Sequence, residues 1–129
     1  MFTIKVLPTP LAVCRLAPDT PLQGLPLGDG FWSVTRTADE LSVVLAGDGV
    51  PPHWRAERGW RGLQVQGPLD FSMIGVLAEL SGVLAAAQIS LFALSTYDTD
   101  YLLVQQGDLG RAVEVLAGRG HRIEIEEAS

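Results

Sequence analysis

The stretch Gln88–Gln106, QISLFALSTYDTDYLLVQQ, sets two short apolar runs, Ile89–Leu94 and Tyr101–Val104, on either side of the polar cluster Ser95-Thr96-Tyr97-Asp98-Thr99-Asp100. The cluster is too short to hold a crossover helix, so the two runs must pair as an antiparallel hairpin. A hairpin alone cannot bury its apolar face, and the chain on both sides must cover it.

That cover is legible as two helices. Ile74, Leu77, Leu80, Val83 and Leu84 recur at helical spacing within Ser72–Ala87, with Asp70 as the expected N-cap. Leu109, Val113, Leu116 and Ala117 do the same over Leu109–Ala117, behind Gly107-Asp108 and ahead of Gly118 and Gly120. A strand-like run stands at each outer end. Trp60–Gln66 alternates Leu63 and Val65 against Gln64 and Gln66, and His121–Ile125 turns Ile123 and Ile125 inward with Arg122 and Glu124 outward. The order is β-α-β-β-α-β, the split βαβ pattern of ferredoxin-like domains, so the expected class is α+β, with antiparallel sheets carrying helices on one face.

The first half repeats the hairpin without the helices. Phe31–Arg36 and Leu41–Leu45 flank the turn Thr37-Ala38-Asp39-Glu40, while residues 17–30 hold Pro18, Pro21, Gly24, Pro26, Gly28 and Gly30 and exclude a helix. Phe2–Leu7 and Leu11–Leu16 read as short strands parted by Pro8-Thr9-Pro10, and Pro51–Gly59 has room for one helical turn. The expected partition is a reduced N-terminal unit over 1–60 and a complete unit over 61–129, joined in one globule.

Composition narrows the function. With 47% hydrophobic and 19% charged residues and a mean hydropathy of +0.25, the chain has ample material for a core. A net charge of −6 without a run of Lys or Arg disfavours nucleic acid, which is bound through clustered cations. The single cysteine, Cys14, excludes an internal disulfide and reads as a buried, inert thiol in a reducing compartment. No stretch approaches the roughly 18 apolar residues of a membrane span. Pro8 and Pro10 break the only apolar start, so the reading places the protein in the cytoplasm, away from membranes.

Catalytic chemistry is not assembled by any motif. Asp39-Glu40 and Glu126-Glu127 are neighbours whose side chains diverge, His53 and His121 lack metal-ligand spacing, and Gly28-Asp29-Gly30 and Gly47-Asp48-Gly49 are too short for phosphate loops. The expectation is no enzyme, no cofactor and no metal. Trp32, Trp54 and Trp60 all fall in the first half, as core or as an association patch.

With FWSVTRTADELS (Phe31–Ser42) and ISLFALSTYDTDY (Ile89–Tyr101) both in view, the chain resembles the small bacterial tandem-ACT proteins, which in turn look like the ACT pairs of CASTOR-type arginine sensors and of the aspartate kinase regulatory domain. The resemblance covers nearly the whole chain. It implies a non-catalytic, allosteric regulatory module that binds a free amino acid, commonly where ACT units pair. The ligand site it implies lies between the first strand-to-helix loop, Gly67-Pro68-Leu69-Asp70-Phe71-Ser72-Met73-Ile74, and the end of the second strand, Ser95-Thr96-Tyr97-Asp98-Thr99-Asp100. This loop carries Pro68 and one glycine where related kinases are glycine-rich.

The physical case stands beside the resemblance. A zwitterionic amino acid needs N–H donors for its carboxylate and an anion for its ammonium. The expected helix start at Ser72 supplies the donors, Asp98 or Asp100 the anion, and Ser95 and Thr96 neutral hydroxyls. Each residue also has a plainer reading: Asp98 as a turn residue, Asp100 as a strand cap, Tyr97 as a packing or interface aromatic, Asp70 as an N-cap, and Phe71 and Met73 as core or dimer contacts. The alternative function is an ACT-fold association domain without a ligand. Either way unpaired sheet edges point to a homodimer, acting on a protein partner that the residues do not identify.

Overall fold

In the computed structural model of this 129-residue chain, residues 1–67 and 75–126 are described. Eight strands and two helices follow one another: β1 Thr3–Val6, β2 Leu11–Leu16, β3 Ser33–Arg36, β4 Leu41–Ala46, β5 Arg55–Val65, α1 Val76–Ala86, β6 Leu91–Ser95, β7 Asp100–Gln105, α2 Leu109–Gly118 and β8 Arg122–Ile125. The α+β class and the ferredoxin-type order from β5 to β8 are those expected. Two compact units result, one of Met1–Pro8 with Arg61–Ser129 and one of Thr9–Trp60.

The first unit departs from a four-stranded layer. Its sheet runs β6-β7-β5-β1-β8, with the N-terminal strand inserted between β5 and β8. β1 pairs antiparallel with β5, Ile4 opposite Val65 and Val6 opposite Leu63, and parallel with β8, Ile4 beside Ile123. Met1–Pro8 thus belongs with the C-terminal chain, whereas the sequence reading put it with 9–60. The physical reason is burial on a period of two: Ile4 and Val6 join Leu63, Val65, Leu102 and Val104 in one core cluster. Helices α1 and α2 complete that cluster with Val76, Leu80, Val83, Leu84, Ala112 and Leu116.

Among the described residues helix α1 begins at Val76. Its N-cap is Gly75 at φ +82°, a left-handed conformation that glycine adopts without a Cβ clash, and Glu79 N–H donates to the Gly75 carbonyl at 2.8 Å. The expected Ser72 start and Asp70 cap, together with the site residues Pro68, Leu69, Asp70, Phe71, Ser72, Met73 and Ile74, lie outside the described residues. Asp108 does hold the N-cap position of α2 but makes no side-chain cap bond; its carboxylate lies 3.7 Å from Arg111 instead.

The second unit is an antiparallel sheet ordered β3-β4-β2-β5, the last through residues Arg55–Trp60. Of the helical turn expected within Pro51–Gly59, a single hydrogen-bonded turn is found, Trp54 N–H donating to the Pro51 carbonyl at 3.1 Å. Arg55–Gly59 is strand, paired across to β2 with a register shift between Leu11 and Val13, and the short 3₁₀ turn falls at Gly47–Gly49. Ladder pairing with β2 outweighs the local signal of Pro51-Pro52. The core of this unit is Ala12, Cys14, Leu41, Val43, Leu45 and Val50, with Leu25, Leu27 and Trp54 packed on it. The Arg36 guanidinium ties down the Pro/Gly segment by donating to the carbonyls of Pro18 and Thr20. Burial raises the Cys14 thiol pKa against a smaller opposing pull from Arg58, which keeps it protonated and unreactive. Trp32 is 47% exposed.

Candidate functional site

The hairpin tip is built by its threonines. Thr96 N–H donates to the Thr99 carbonyl at 2.8 Å, its hydroxyl donates to the same carbonyl at 3.2 Å, and Thr99 N–H returns a bond to Thr96 Oγ1 at 3.3 Å. The β3–β4 turn closes in a related way, with Thr37 N–H on the Glu40 carbonyl at 2.9 Å and Thr37 Oγ1 accepting from Asp39 and Glu40 N–H. A hydroxyl that satisfies turn amides explains why both tips open on threonine.

Thr99 then anchors the tip to the sheet. It is 6% exposed, and its hydroxyl donates to the Val65 carbonyl at 2.5 Å. Val65 ends β5, two residues before Gly67, so one bond draws the tip 95–100 and the start of the 67–74 segment to the same corner. Gln66 N–H adds a 2.8 Å bond to the Thr3 carbonyl of β1. The sequence reading placed Thr99 among the ligand residues; its hydroxyl is committed to this internal bond.

Around the corner the polar groups divide. Ser95 Oγ donates to Asp100 Oδ1 at 2.6 Å across the first pair of the β6–β7 ladder. Neither Asp98 nor Asp100 forms an ion pair among the described residues. Tyr97 is 80% exposed. Tyr101 Oη accepts a 3.1 Å bond from Gln64 Nε2, and burial first, then the Asp98 carboxylate, push its hydroxyl pKa above the usual phenol value. The Gln64–Tyr101 pair was not foreseen; the outward alternation of Gln64 was its only sequence signal. Among the described residues no cluster of three or more His, Cys, Asp or Glu is placed to hold a metal ion, and no helix is long and apolar enough to cross a membrane.

Thr99→Val keeps the shape of the side chain while removing its buried bond to the Val65 carbonyl. It is expected to cost about 1–3 kcal/mol, read as a lower urea midpoint at unchanged slope. An unchanged midpoint would show that the anchor carries no weight.

A family model described as an ACT domain matches residues 55–118, which take in β5, α1, the β6–β7 hairpin and α2. The crystal structure of a protein from Agrobacterium tumefaciens superposes with a TM-score of 0.92 at 34% identity, over 98% of this chain and 95% of that one. The chain belongs to the ACT-domain family. A second family model, described as an N-terminal domain, matches residues 10–53 and so falls within the other unit. The human protein named cytosolic arginine sensor for mTORC1 subunit 1 is 41% identical over 61 residues, which are 46% of this ACT protein but 18% of the sensor. The matched region thus spans less than a fifth of that relative's length. The regulatory subunit of aspartate kinase from Thermus thermophilus shares the ACT fold, with a TM-score of 0.62 at 9% identity over 89% of this chain and 95% of that one.

Proposed function

We propose that this ACT protein is a non-catalytic regulatory module that binds a free amino acid at the corner between the 67–74 segment and the hairpin tip Ser95–Asp100. The observation that carries the reading is the Thr99–Val65 bond, which brings the hairpin tip to the end of β5. Asp98 and Asp100 supply carboxylates without a cationic partner among the described residues, suited to an ammonium group. Gly75, the N-cap of α1, has no side chain with which to cap the first turn, so the N–H groups there suit a carboxylate. The relatives support the same class, one being named an arginine sensor and another a regulatory subunit. The reading also places the protein in the cytoplasm, as a homodimer acting on a protein partner, with no role for nucleic acid or membrane.

A second reading rests on β6. Leu91–Ser95 lies at the sheet edge and carries no charge, proline or bulge to discourage pairing, which suits an association domain without a ligand. Thermal shift against the twenty common amino acids, arginine included, separates the two. Sensing predicts a rise in Tm with one ligand, worth about 2.7 kcal/mol at a hundredfold excess over Kd, and its loss in Asp100→Ala. A flat panel with a dimer by light scattering favours association, and a monomer at high concentration counts against the homodimer in both.

A further inference from the structure

We infer that His121 is a proton-sensitive latch that holds the start of β1 in the sheet only while its imidazole is neutral. The ring is buried, its side chain 3% exposed, in the turn between α2 and β8. Its Nδ1 lies 3.1 Å from the backbone nitrogen of Phe2, and the ring stacks on the Phe2 side chain with centroids 5.7 Å apart and planes 12° from parallel. A backbone N–H can only donate, so Nδ1 must present a lone pair and the proton of the neutral ring sits on Nε2.

A second proton has to go to Nδ1, where the Phe2 N–H already points. Turning the ring over replaces Nδ1 by a carbon, which accepts nothing. The charged ring and the Phe2 bond therefore exclude each other, whatever the proton affinity of the site. From α1, Glu79 Oε1 stands 3.6 Å from Nε2; it favours the charged ring, yet at 45% exposure its pull is screened by water. From α2, the Leu116 carbonyl accepts the His121 backbone N–H at 3.3 Å, and this end of the helix dipole favours the same charge. Arg122, the next residue, is exposed and turned to Glu124 at 3.5 Å. The attractions that invite a proton act at Nε2 and the ring as a whole, while the bond it breaks is at Nδ1.

Opening the latch reaches further than Phe2. The Phe2 carbonyl accepts Arg122 N–H at 2.9 Å, and the next carbonyl along, that of Thr3, accepts Gln66 N–H at 2.8 Å, so the start of β1 fastens both β8 and the end of β5. His121 is thus a positioning residue for this corner of the sheet.

The test is amide exchange with imidazole proton–nitrogen correlation on the whole chain, from about pH 7.5 to about pH 5.5. At the upper pH the ring should be the Nε2–H tautomer and the Phe2 amide protected. As the ring takes up its proton, Phe2 protection, corrected for intrinsic exchange, should fall about tenfold or more, with Gln66 following. His121→Asn, whose amide oxygen can accept from Phe2 without titrating, should flatten that dependence; His121→Phe, which keeps a stack but no acceptor, should show low Phe2 protection throughout. Protection that persists in the charged ring overturns the inference. So does a ring that stays neutral over a protected Phe2 amide down to about pH 5.

Discussion

Ile4→Asp is expected to unfold the unit formed by Met1–Pro8 and the C-terminal chain. Ile4 is 0% exposed and sits between Val65 of β5 and Ile123 of β8. A carboxylate there has no partner in a cluster of Leu, Ile, Val and Ala side chains, and the cost of several kcal/mol is on the order of a domain's whole stability. The measurement is amide dispersion of residues 61–126, which should collapse. If 61–129 were complete by itself, the same substitution would leave those amides native-like, and that outcome would refute the placement of β1 between β5 and β8. An isolated fragment 61–129 should behave like the Ile4→Asp chain, because it leaves the inner edges of β5 and β8 without their partner strand.

Leu80→Ala carries the next largest effect. Leu80 is 0% exposed on α1 and lies in the same core as Leu63, Leu102 and Leu116. Truncation removes the transfer free energy of the side chain and leaves a cavity that rigid neighbours fill only in part, for a loss of about 2–5 kcal/mol. Tm should fall on the order of 10 °C. Leu77→Ala, at a partly buried position one turn earlier, is the control and should cost clearly less. Equal losses at the two positions would mean that α1 packs on a different face from the one seen.

What could be read in advance divides along physical lines. The hairpin 89–104 was legible because Phe92, Leu94, Leu102 and Val104 flank turn residues, and the ladder runs from Leu91–Val104 to Ser95–Asp100. Helix α2 was legible to within a residue because its apolar stripe is narrow and the helix closes at Gly118, with Gly120 at φ +90° just beyond. In α1 the described helix begins at Val76 behind Gly75, and nothing local announces that Gly75 adopts φ +82°; the Ser72 start and Asp70 cap suggested by periodicity lie outside the described residues. Arg55–Gly59 was misread because its residues carry no strand signal and gain their conformation from pairing with β2. At the candidate site, Ser95–Asp100 was singled out by its polarity, yet polarity could not separate the buried Thr99 hydroxyl, bound to Val65, from the exposed Tyr97 ring.

By itself the order of residues determined the class of fold, the hairpin at its centre and the polar tip, since those follow from periodicity and turn chemistry within a few neighbours. Only the tertiary structure decided that a strand from the far end of the chain lies between β5 and β8, that Thr99 pins the tip to Val65, and that His121 holds Phe2 across 119 positions. The reason is range. Alternation tells a strand which side to bury, but its partner is chosen by which edge leaves N–H and C=O groups unsatisfied, and that choice exists only once the rest of the sheet is in place.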